Sequence, residues 1–227
     1  MVRFLFLDMD DTILDFHRSE REAISLTLKQ FSLEPTEEVL QCYSAINKAH
    51  WEALERKELT RDQVLVGRFV ALFDRYGIAV DPVAVARQYE VNLSAGHYFL
   101  PGAEEALERL SKKYPLYLAS NGTARVQAGR IQSSGISRFF TEIFVSEEMG
   151  ANKPDIVYFE NCFARIPGFD KAKAMIVGDS LSSDIRGGIN AGIATCWVNP
   201  AHKDCGDIRP DYQIESLSQL ENLLETL

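Results

Sequence analysis

Short apolar runs alternate with amphipathic segments over the second half of this 227-residue chain, and this alternation is the strongest constraint on its fold. The apolar runs have the length of buried strands and lie at residues 116–120, 143–146, 174–177, 194–198 and 212–214. The segments around them have helical spacing and begin near residues 102, 123, 155, 183 and 216. Strands that alternate with helices are typical of βαβ units on a parallel sheet. The sequence therefore predicts an α/β fold.

A sixth strand is predicted at residues 4–7, well before the other five in sequence. Residues 17–96, which follow it, show helical periodicity only and predict a bundle of about four helices. Three helix-start signals lie in this stretch: Ser19-x-x-Glu22, Thr60-x-x-Gln63 and Asp81-Pro82. We therefore predict a Rossmann-like parallel-sheet core made of residues 1–16 and 97–227, with a helical cap domain, residues 17–96, inserted after the first strand.

Composition excludes several kinds of partner and site. The formal net charge of −9 argues against binding to a nucleic-acid polymer, because phosphate backbones bind to basic surfaces. The four cysteines form no C-x-x-C pair, so neither a zinc site nor a redox pair is indicated. The N-terminal apolar run ends at Asp8 and is too short for a signal peptide or a membrane-spanning helix. We predict a cytoplasmic protein without a membrane partner, and the sequence leaves its oligomeric state open.

Two carboxylates, Asp8 and Asp10, directly follow the predicted first strand in the run Asp8-Met9-Asp10-Asp11-Thr12. Crowded carboxylates are costly in a partly buried loop unless a cation compensates their charge. Taken alone, such a pair more often belongs to a loop of ordinary solvated acids. It nevertheless makes a metal-assisted reaction the first hypothesis to compare with the other strand ends.

Polar groups also follow three further strands: Ser120-Asn121-Gly122, Lys153-Pro154 and Gly178-Asp179-x4-Asp184. Each group has a structural explanation of its own, since the serine and the aspartates could cap helices and the lysine could lie on the surface. In parallel α/β sheets, however, ligands bind outside the carboxyl ends of the strands. The four groups are therefore expected to converge in one crevice.

The residue types in these groups fit phosphoryl transfer. Mg²⁺ prefers oxygen ligands and takes only one or two carboxylates together with water and phosphate oxygen. The metal-ligating candidates are Asp8, Asp10 and Asp179, with a backbone carbonyl among the ligands. The phosphate-binding candidates are Ser120, Asn121 and Lys153, with the backbone N–H groups of Asn121 and Met9 as further donors.

The two acids of the first group suit two different steps. A carboxylate at the end of the first strand could attack phosphorus in line and form an aspartyl-phosphate. The second carboxylate could then be the general acid for the leaving oxygen and later the general base for water. Metal contact would keep Asp8 ionised, whereas Asp10 would be freer to carry a proton.

The chain resembles the haloacid dehalogenase superfamily in four motifs that keep their order: Asp8-x-Asp10-x-Thr12, Ser120-Asn121, Lys153-Pro154 and Gly178-Asp179-x4-Asp184. The resemblance implies a Rossmann-like core, a helical cap and Mg²⁺ as cofactor. It also implies individual roles: Asp8 as nucleophile, Asp10 as acid/base, Ser120 and Lys153 on phosphate, Asp179 on magnesium, and Asp184 orienting Lys153 or a metal-bound water. True dehalogenases of the superfamily lack the second acid, so Asp10 disfavours dehalogenation; phosphomutases stay open.

Within the predicted cap, the stretches 45–51 and 66–69 resemble the pyrimidine 5′-nucleotidases. Asn47 and Trp51 are four residues apart and so share one helical face. If that face is turned to the crevice, they could hydrogen-bond to a base and stack on it. Alternatively, Trp51 belongs to the core of the cap and Asn47 is a solvated helix residue.

We predict a Mg²⁺-dependent phosphomonoester hydrolase that works through an aspartyl-phosphate intermediate. The expected partner is a small phosphorylated metabolite, and the expected activity is that of a 5′-nucleotidase on pyrimidine nucleoside monophosphates. One alternative is a phosphatase of another small metabolite, such as a sugar phosphate or phosphoglycolate. Another is a catalytically silent binding module, which the intact motifs disfavour because a silent relative would be free to lose Asp8 or Asp10.

Overall fold

The computed structural model describes residues 2–227, and the chain folds into two compact units. The first unit contains the chain up to Phe16 together with His97–Leu227. The second unit is His17–Gly96. Within the described residues, no helix has both the length and the apolar character needed to cross a membrane.

A six-stranded, wholly parallel sheet forms the centre of the first unit. Its strands are β1 Phe4–Leu7, β2 Leu116–Ser120, β3 Glu142–Val145, β4 Ala174–Gly178, β5 Ala194–Val198 and β6 Tyr212–Ile214, in the order β3-β2-β1-β4-β5-β6. The chain builds β2 and β3 on one side of β1 and then crosses to β4 on the other. Ligands of α/β sheets bind where the strand order reverses in this way. The predicted α/β class with a Rossmann-like core is confirmed.

The first strand is buried on both faces of the sheet. Alternate side chains of a strand point to opposite sides, so Leu5 and Leu7 join one apolar cluster while Phe4 and Phe6 join another. All four residues of β1 are buried, as is typical of a central parallel strand covered by helices on each face. The end of β1 is therefore fixed rigidly, and the polar residues that follow it start from a defined position.

Four helices make up most of the second unit: α1 Phe16–Gln30, α2 Glu37–Glu55, α3 Arg61–Tyr76 and α4 Pro82–Leu93. Two predicted helix starts are confirmed, since Thr60 forms a capping box at α3 and Asp81 caps α4. The predicted start at Ser19 is wrong. The helix already begins at Phe16, whose backbone N–H donates to the Asp11 carboxylate (2.9 Å), and Ser19 is buried within the helix.

The helices of the first unit that cover the sheet are α5 Ala103–Ser111, α6 Ala124–Ser134, α7 Ser146–Met149, α8 Ile156–Ala164, α9 Arg186–Ala191 and α10 Leu220–Leu224. A π-helical turn, Leu181–Ile185, precedes α9, so the helix predicted over residues 183–192 consists of two segments. The Ser180 hydroxyl accepts the Ser183 N–H (3.2 Å) and starts this turn directly after β4. The turn brings side chains back towards the strand end.

Candidate active site

Asp8 lies at the carboxyl end of β1 while its backbone is still tied to the sheet. Its N–H donates to the Val177 carbonyl of β4 (2.9 Å), which extends the β1–β4 ladder by one residue. The chain then turns sharply, since Asp11 takes a left-handed φ of 55° and the Leu14 N–H returns to the Met9 carbonyl (2.9 Å). Only 6% of Asp8 is exposed, so its carboxylate is largely withdrawn from water.

A buried lysine joins three strand ends. The Lys153 ammonium donates to the Asp8 carboxylate (2.5 Å), the Ala119 carbonyl (2.6 Å) and the Asp184 carboxylate (2.6 Å). An ammonium has three N–H donors, and these contacts use all three. A direct hydrogen bond from Lys153 to a phosphate would therefore have to replace one of them. Burial lowers the pKa of Lys153, but Asp184 and Asp8 outweigh burial and raise that pKa above its usual value.

The carboxylates of Asp8, Asp179 and Asp184 form an acidic group, with one oxygen of each lying within 4.8 Å of the others. Asp184 is held there by its second oxygen, which accepts the Ser180 backbone N–H (3.1 Å). Gly178 makes the approach possible, because a Cβ at this position would collide with the Asp184 side chain. The strand β4 and the turn after it thus supply two acids to the first strand's Asp8.

The negative charges of this acidic group are only partly compensated by the positive charge of Lys153. Burial raises the pKa of Asp8 to about 8; Lys153 opposes this shift, while Asp184 and Asp10 add to it. Loss of water contact raises the pKa of Asp179 well above its usual range, with further contributions from Asp184 and Asp8. One ammonium thus faces three carboxylates. An anionic set made of oxygen donors fits a hard divalent cation such as Mg²⁺, and the residues present are compatible with the predicted metal.

Asp10 does not share the acidic group, although it was predicted to bind the metal beside Asp8 and Asp179. Its Oδ1 accepts from the Arg130 guanidinium and its Oδ2 from the Gln127 amide (3.0 Å), both on α6. The side-chain set of the acidic group therefore contains Asp184 in place of Asp10, because α6 draws the Asp10 carboxylate to its own side. A metal contact from Asp10 stays a prediction. The atom of Asp10 that could form this contact is its backbone carbonyl oxygen.

Ser120 and Asn121 end β2 in different environments. The Ser120 hydroxyl oxygen accepts from the Gln127 amide (2.7 Å) and the Gly122 N–H (3.3 Å), and the residue is buried. The Asn121 side chain donates to the Lys153 carbonyl (2.8 Å) and accepts the Lys153 N–H (2.8 Å). Its amide therefore fixes the backbone of Lys153, which leaves the backbone N–H of Asn121 as the group still predicted to bind phosphate.

Gln127 and Arg130 were not predicted from the sequence. They are three residues apart on α6, on a face where Val126 and Ile131 are buried. Two polar side chains of this size on a buried helix face need partners, and that is the sequence signal that points to them. Trp197 was likewise not predicted; its indole N–H donates to the Asp179 carbonyl (2.8 Å) and fixes the backbone of that acid.

In the second unit, the side chain of Asn47 forms its hydrogen bonds within the helical bundle. Its amide donates to Glu20 (2.7 Å) and its oxygen accepts from Arg68 (2.8 Å), and all three residues are buried. Asn47 thus lies between two buried side chains of opposite charge, and its amide forms a hydrogen bond with each of them. Trp51, on the next turn of α2, is half-buried, with the Arg61 guanidinium 5.9 Å from its ring centroid.

Removal of the Asn47 amide should destabilise the protein. Asn47→Ala leaves Glu20 and Arg68 without this partner in a buried place, which costs about 1–3 kcal/mol for an unsatisfied group. We expect a lower melting temperature in thermal unfolding, whereas Lys48→Ala on the exposed side of the same helix should melt like the parent chain. An unchanged melting temperature together with a raised KM for nucleotides would instead assign Asn47 to substrate binding.

Comparison with known proteins gives a consistent result. The model of the haloacid dehalogenase-like hydrolases matches residues 5–198. The crystal structure of the putative HAD-hydrolase YfnB from Bacillus subtilis, bound to magnesium, has a TM-score of 0.93 and 39% identity over 98% of each chain. The pyrimidine 5′-nucleotidase PynA of Streptococcus pneumoniae is 36% identical over 98% of this chain and 95% of its own. The pyrimidine 5′-nucleotidase YjjG of Escherichia coli is 30% identical over 97% of each.

These relatives confirm the predicted enzyme class, a phosphatase, and the predicted superfamily. The matched region runs from β1 through β5. It therefore includes the strands on both sides of the point where the strand order reverses. The similarity to the three relatives extends over nearly the full length of each protein. The chain accordingly belongs to the haloacid dehalogenase-like hydrolase family.

Proposed function

We propose that this chain hydrolyses phosphate monoesters with Mg²⁺ as cofactor and Asp8 as nucleophile, and that its substrates are pyrimidine nucleoside 5′-monophosphates. The chemistry rests on one observation: the buried contact of Lys153 with Asp8 inside a group of carboxylates at the strand switch point. Phosphoryl transfer calls mainly for positioning and neutralisation of charge, which such a site can provide. The substrate class rests on the two relatives named pyrimidine 5′-nucleotidases.

In the first half-reaction, an oxygen of Asp8 attacks the phosphorus of the ester. A bond forms between that oxygen and phosphorus while the bond from phosphorus to the leaving oxygen breaks. Asp10 gives its proton to the leaving oxygen, which departs as an alcohol. The Ser120 hydroxyl and backbone N–H groups at the strand ends hold the phosphate oxygens, and Lys153 keeps Asp8 in place.

In the second half-reaction, water attacks the phosphorus of the aspartyl-phosphate. Asp10, now a carboxylate, takes a proton from this water as the bond between phosphorus and the Asp8 oxygen breaks. Inorganic phosphate leaves and Asp8 returns to the carboxylate form. Asp10 regains the proton that it needs for the next cycle, so the two half-reactions balance.

Asp8 and Asp179 are the proposed metal-ligating side chains, and Asp10 is proposed to contribute through its backbone carbonyl. When bound, Mg²⁺ would supply positive charge to the phosphate and orient it for attack. Asp184 is proposed to orient Lys153, which it contacts at 2.6 Å.

A panel of phosphate esters tests this function. Phosphate release is measured over pyrimidine and purine 5′-monophosphates, 3′-monophosphates and sugar phosphates, with Mg²⁺ and with EDTA. We expect the highest kcat/KM for a pyrimidine 5′-monophosphate. No phosphate release from any ester, with the chain folded and Mg²⁺ present, would overturn the proposal and leave a silent binding module.

Another small metabolite is the second candidate substrate. The glyceraldehyde 3-phosphate phosphatase of Methanothermobacter thermautotrophicus is 26% identical over 88% of this chain, which favours a non-nucleotide ester as the alternative. Preference for a sugar or triose phosphate in the same panel would select this candidate and keep the proposed chemistry.

Substrate choice is proposed to depend on Trp51 in the helical unit. A stacking contact between an aromatic ring and a base is worth about 1–3 kcal/mol where it has been measured in nucleic-acid binders. Trp51→Ala should then lower kcat/KM for nucleotides by roughly ten-fold or more, because 1.4 kcal/mol corresponds to a factor of ten. Hydrolysis of p-nitrophenyl phosphate should change much less.

The control for this prediction is Leu26→Ala, which removes an exposed apolar side chain from the same unit. It should leave both substrates unaffected. Equal losses for nucleotide and p-nitrophenyl phosphate in Trp51→Ala, or a lower melting temperature with unchanged selectivity, would place Trp51 in the core of the helical bundle.

A further inference from the structure

Helix α6 carries two buried polar side chains towards the end of β1. Its first N–H, at Ala124, donates to the Glu147 carboxylate (2.6 Å), which anchors the start of the helix. Gln127 and Arg130 are three residues apart and so lie on one face, and they are 2% and 0% exposed. A guanidinium buried to this extent is costly unless a carboxylate compensates it. The position of both side chains therefore depends on what they contact.

Both side chains contact Asp10. Arg130 donates to one carboxylate oxygen through Nη1, and Gln127 donates to the other through Nε2 (3.0 Å). Arg130 Nη1 also donates to Gln127 Oε1 (3.2 Å), which fixes the orientation of the amide. The Asp10 side chain is still 28% exposed, so it is held from one side and open on the other.

Gln127 also contacts Ser120. Its Nε2 donates to the Ser120 hydroxyl oxygen (2.7 Å), which accepts the Gly122 N–H as well (3.3 Å). A hydroxyl has two acceptor positions and one proton to donate. Because both acceptor positions of Ser120 are used, its proton is directed away from Gln127 and Gly122.

The glycine after Asn121 makes room for this arrangement. A Cβ at position 122 would collide with Cγ, Cδ and Nε2 of Gln127, closer than real side chains approach one another. Any larger residue at Gly122 would therefore displace the Gln127 amide from Asp10 and Ser120. This gives a second, independent way to disturb the same contacts.

We propose that Gln127 and Arg130 are positioning residues for the acid/base Asp10, and that Gln127 in addition turns the Ser120 hydroxyl proton towards the substrate phosphate. The proposal rests on the function proposed above. Arg130 acts through Asp10 and should matter for proton transfer, whereas Gln127 acts through Asp10 and Ser120 and should matter for phosphate binding too. The two residues therefore have distinguishable kinetic effects.

The first test compares Arg130→Met with the matched control Arg125→Met, an exposed arginine on the same helix. For a nucleoside monophosphate, whose leaving oxygen needs a proton, Arg130→Met should lower kcat roughly 100-fold with KM almost unchanged. With p-nitrophenyl phosphate, whose leaving group needs no proton, the first turnover should stay fast while later turnovers slow. The chain phosphorylated on Asp8 should then accumulate, as intact mass spectrometry can detect.

Arg130→Lys keeps the charge and should restore part of kcat. A merely structural role would instead slow the first turnover together with the later ones and leave no phosphorylated chain, and that result would overturn the proposal. Wild-type kinetics in Arg130→Met would overturn it as well.

The second test uses Gln127→Leu with Gln132→Leu as its control, since Gln132 is exposed on the same helix. Gln127→Leu should lower kcat and also weaken inhibition by inorganic phosphate by about ten-fold, the factor that 1.4 kcal/mol represents. Arg130→Met should leave inhibition by phosphate unchanged. Equal effects of the two variants on phosphate inhibition would overturn the separate role of Gln127.

A double-mutant cycle tests the role of Gln127 even if Arg130→Met fails to fold. If Gly122→Ala acts by displacing Gln127, it should slow the parent chain but add nothing in a Gln127→Ala background. Additive effects would overturn the role of Gln127. An inactive wild type, or a phosphate trapped on a residue other than Asp8, would overturn the proposed function; an active wild type with unaffected variants overturns the positioning role alone.

Discussion

Asp8→Asn is expected to abolish turnover, with kcat falling by a factor of about 10⁴ or more, as is typical when a nucleophile is removed. The amide nitrogen cannot form the acyl-phosphate, so neither half-reaction can occur at this position. The variant should fold, because an amide is less costly to bury than the carboxylate whose pKa burial raises to about 8. The measurement is phosphate release under saturating substrate, with thermal unfolding as the check on folding.

Two further variants separate the nucleophile from its neighbours. Asp10→Asn should leave phosphate binding largely intact and let the phosphorylated chain accumulate from p-nitrophenyl phosphate, because the second half-reaction lacks its base. Asp184→Asn disturbs Lys153 but keeps the nucleophile, so any phosphate that it traps should still map to Asp8. Peptide mapping that finds the phosphate on another residue would contradict the assignment.

Removal of the divalent cation is the second change with a large expected effect. Three carboxylates and a substrate phosphate would share one lysine ammonium, so EDTA should suppress activity and Mg²⁺ should restore it. Ca²⁺ should bind but support turnover poorly, because its coordination is longer and looser and would misplace the nucleophile. Full activity in the presence of EDTA would contradict the proposed cofactor.

Stability provides a measurement of the metal that is independent of activity. The pKa of Asp8 is raised in the metal-free protein, so the folded state binds more protons than the unfolded chain between about pH 4 and pH 8. Asp8 therefore contributes fully to the free energy of unfolding of the metal-free protein at low pH, and this contribution is lost as the pH rises towards 8. Mg²⁺ binds the ionised form and should offset this loss.

We therefore expect Mg²⁺ to raise the melting temperature more at pH 8 than at pH 5. At a concentration of about 100 times its dissociation constant, a bound ligand stabilises by about 2.7 kcal/mol. For a domain of this size each kcal/mol corresponds to roughly 2–4 °C. Asp179→Asn should reduce the shift, and Asp74→Asn, at an exposed position, should leave it unchanged. A metal effect that is equal at both pH values would separate metal binding from the ionisation of Asp8.

The sheet and its polar strand ends could be predicted from the sequence because both depend on local patterns. A short apolar run such as residues 4–7 is too short for a helix and favours a central strand. The acids after it then lie at the carboxyl edge of the sheet. The same logic placed Ser120 and Asp179 at the ends of β2 and β4. The predicted helix start at Ser19 failed because the helix begins three residues earlier, at Phe16. The Phe16 N–H donates to the carboxylate of Asp11, five residues before it and outside the usual capping pattern.

The sequence by itself determined the α/β class, the strand bounds to within a residue, and the set of groups available for chemistry. The tertiary structure alone decided which of them share a site: Asp184 joins Asp8 and Asp179, while Asp10 turns to Arg130, which is 120 residues away in sequence. It also decided that Asn47 bridges Glu20 and Arg68. The physical reason is that strand polarity follows from local hydrophobic periodicity, whereas side-chain partners across 100 residues or more depend on sheet register and on the rotation of each helix about its axis.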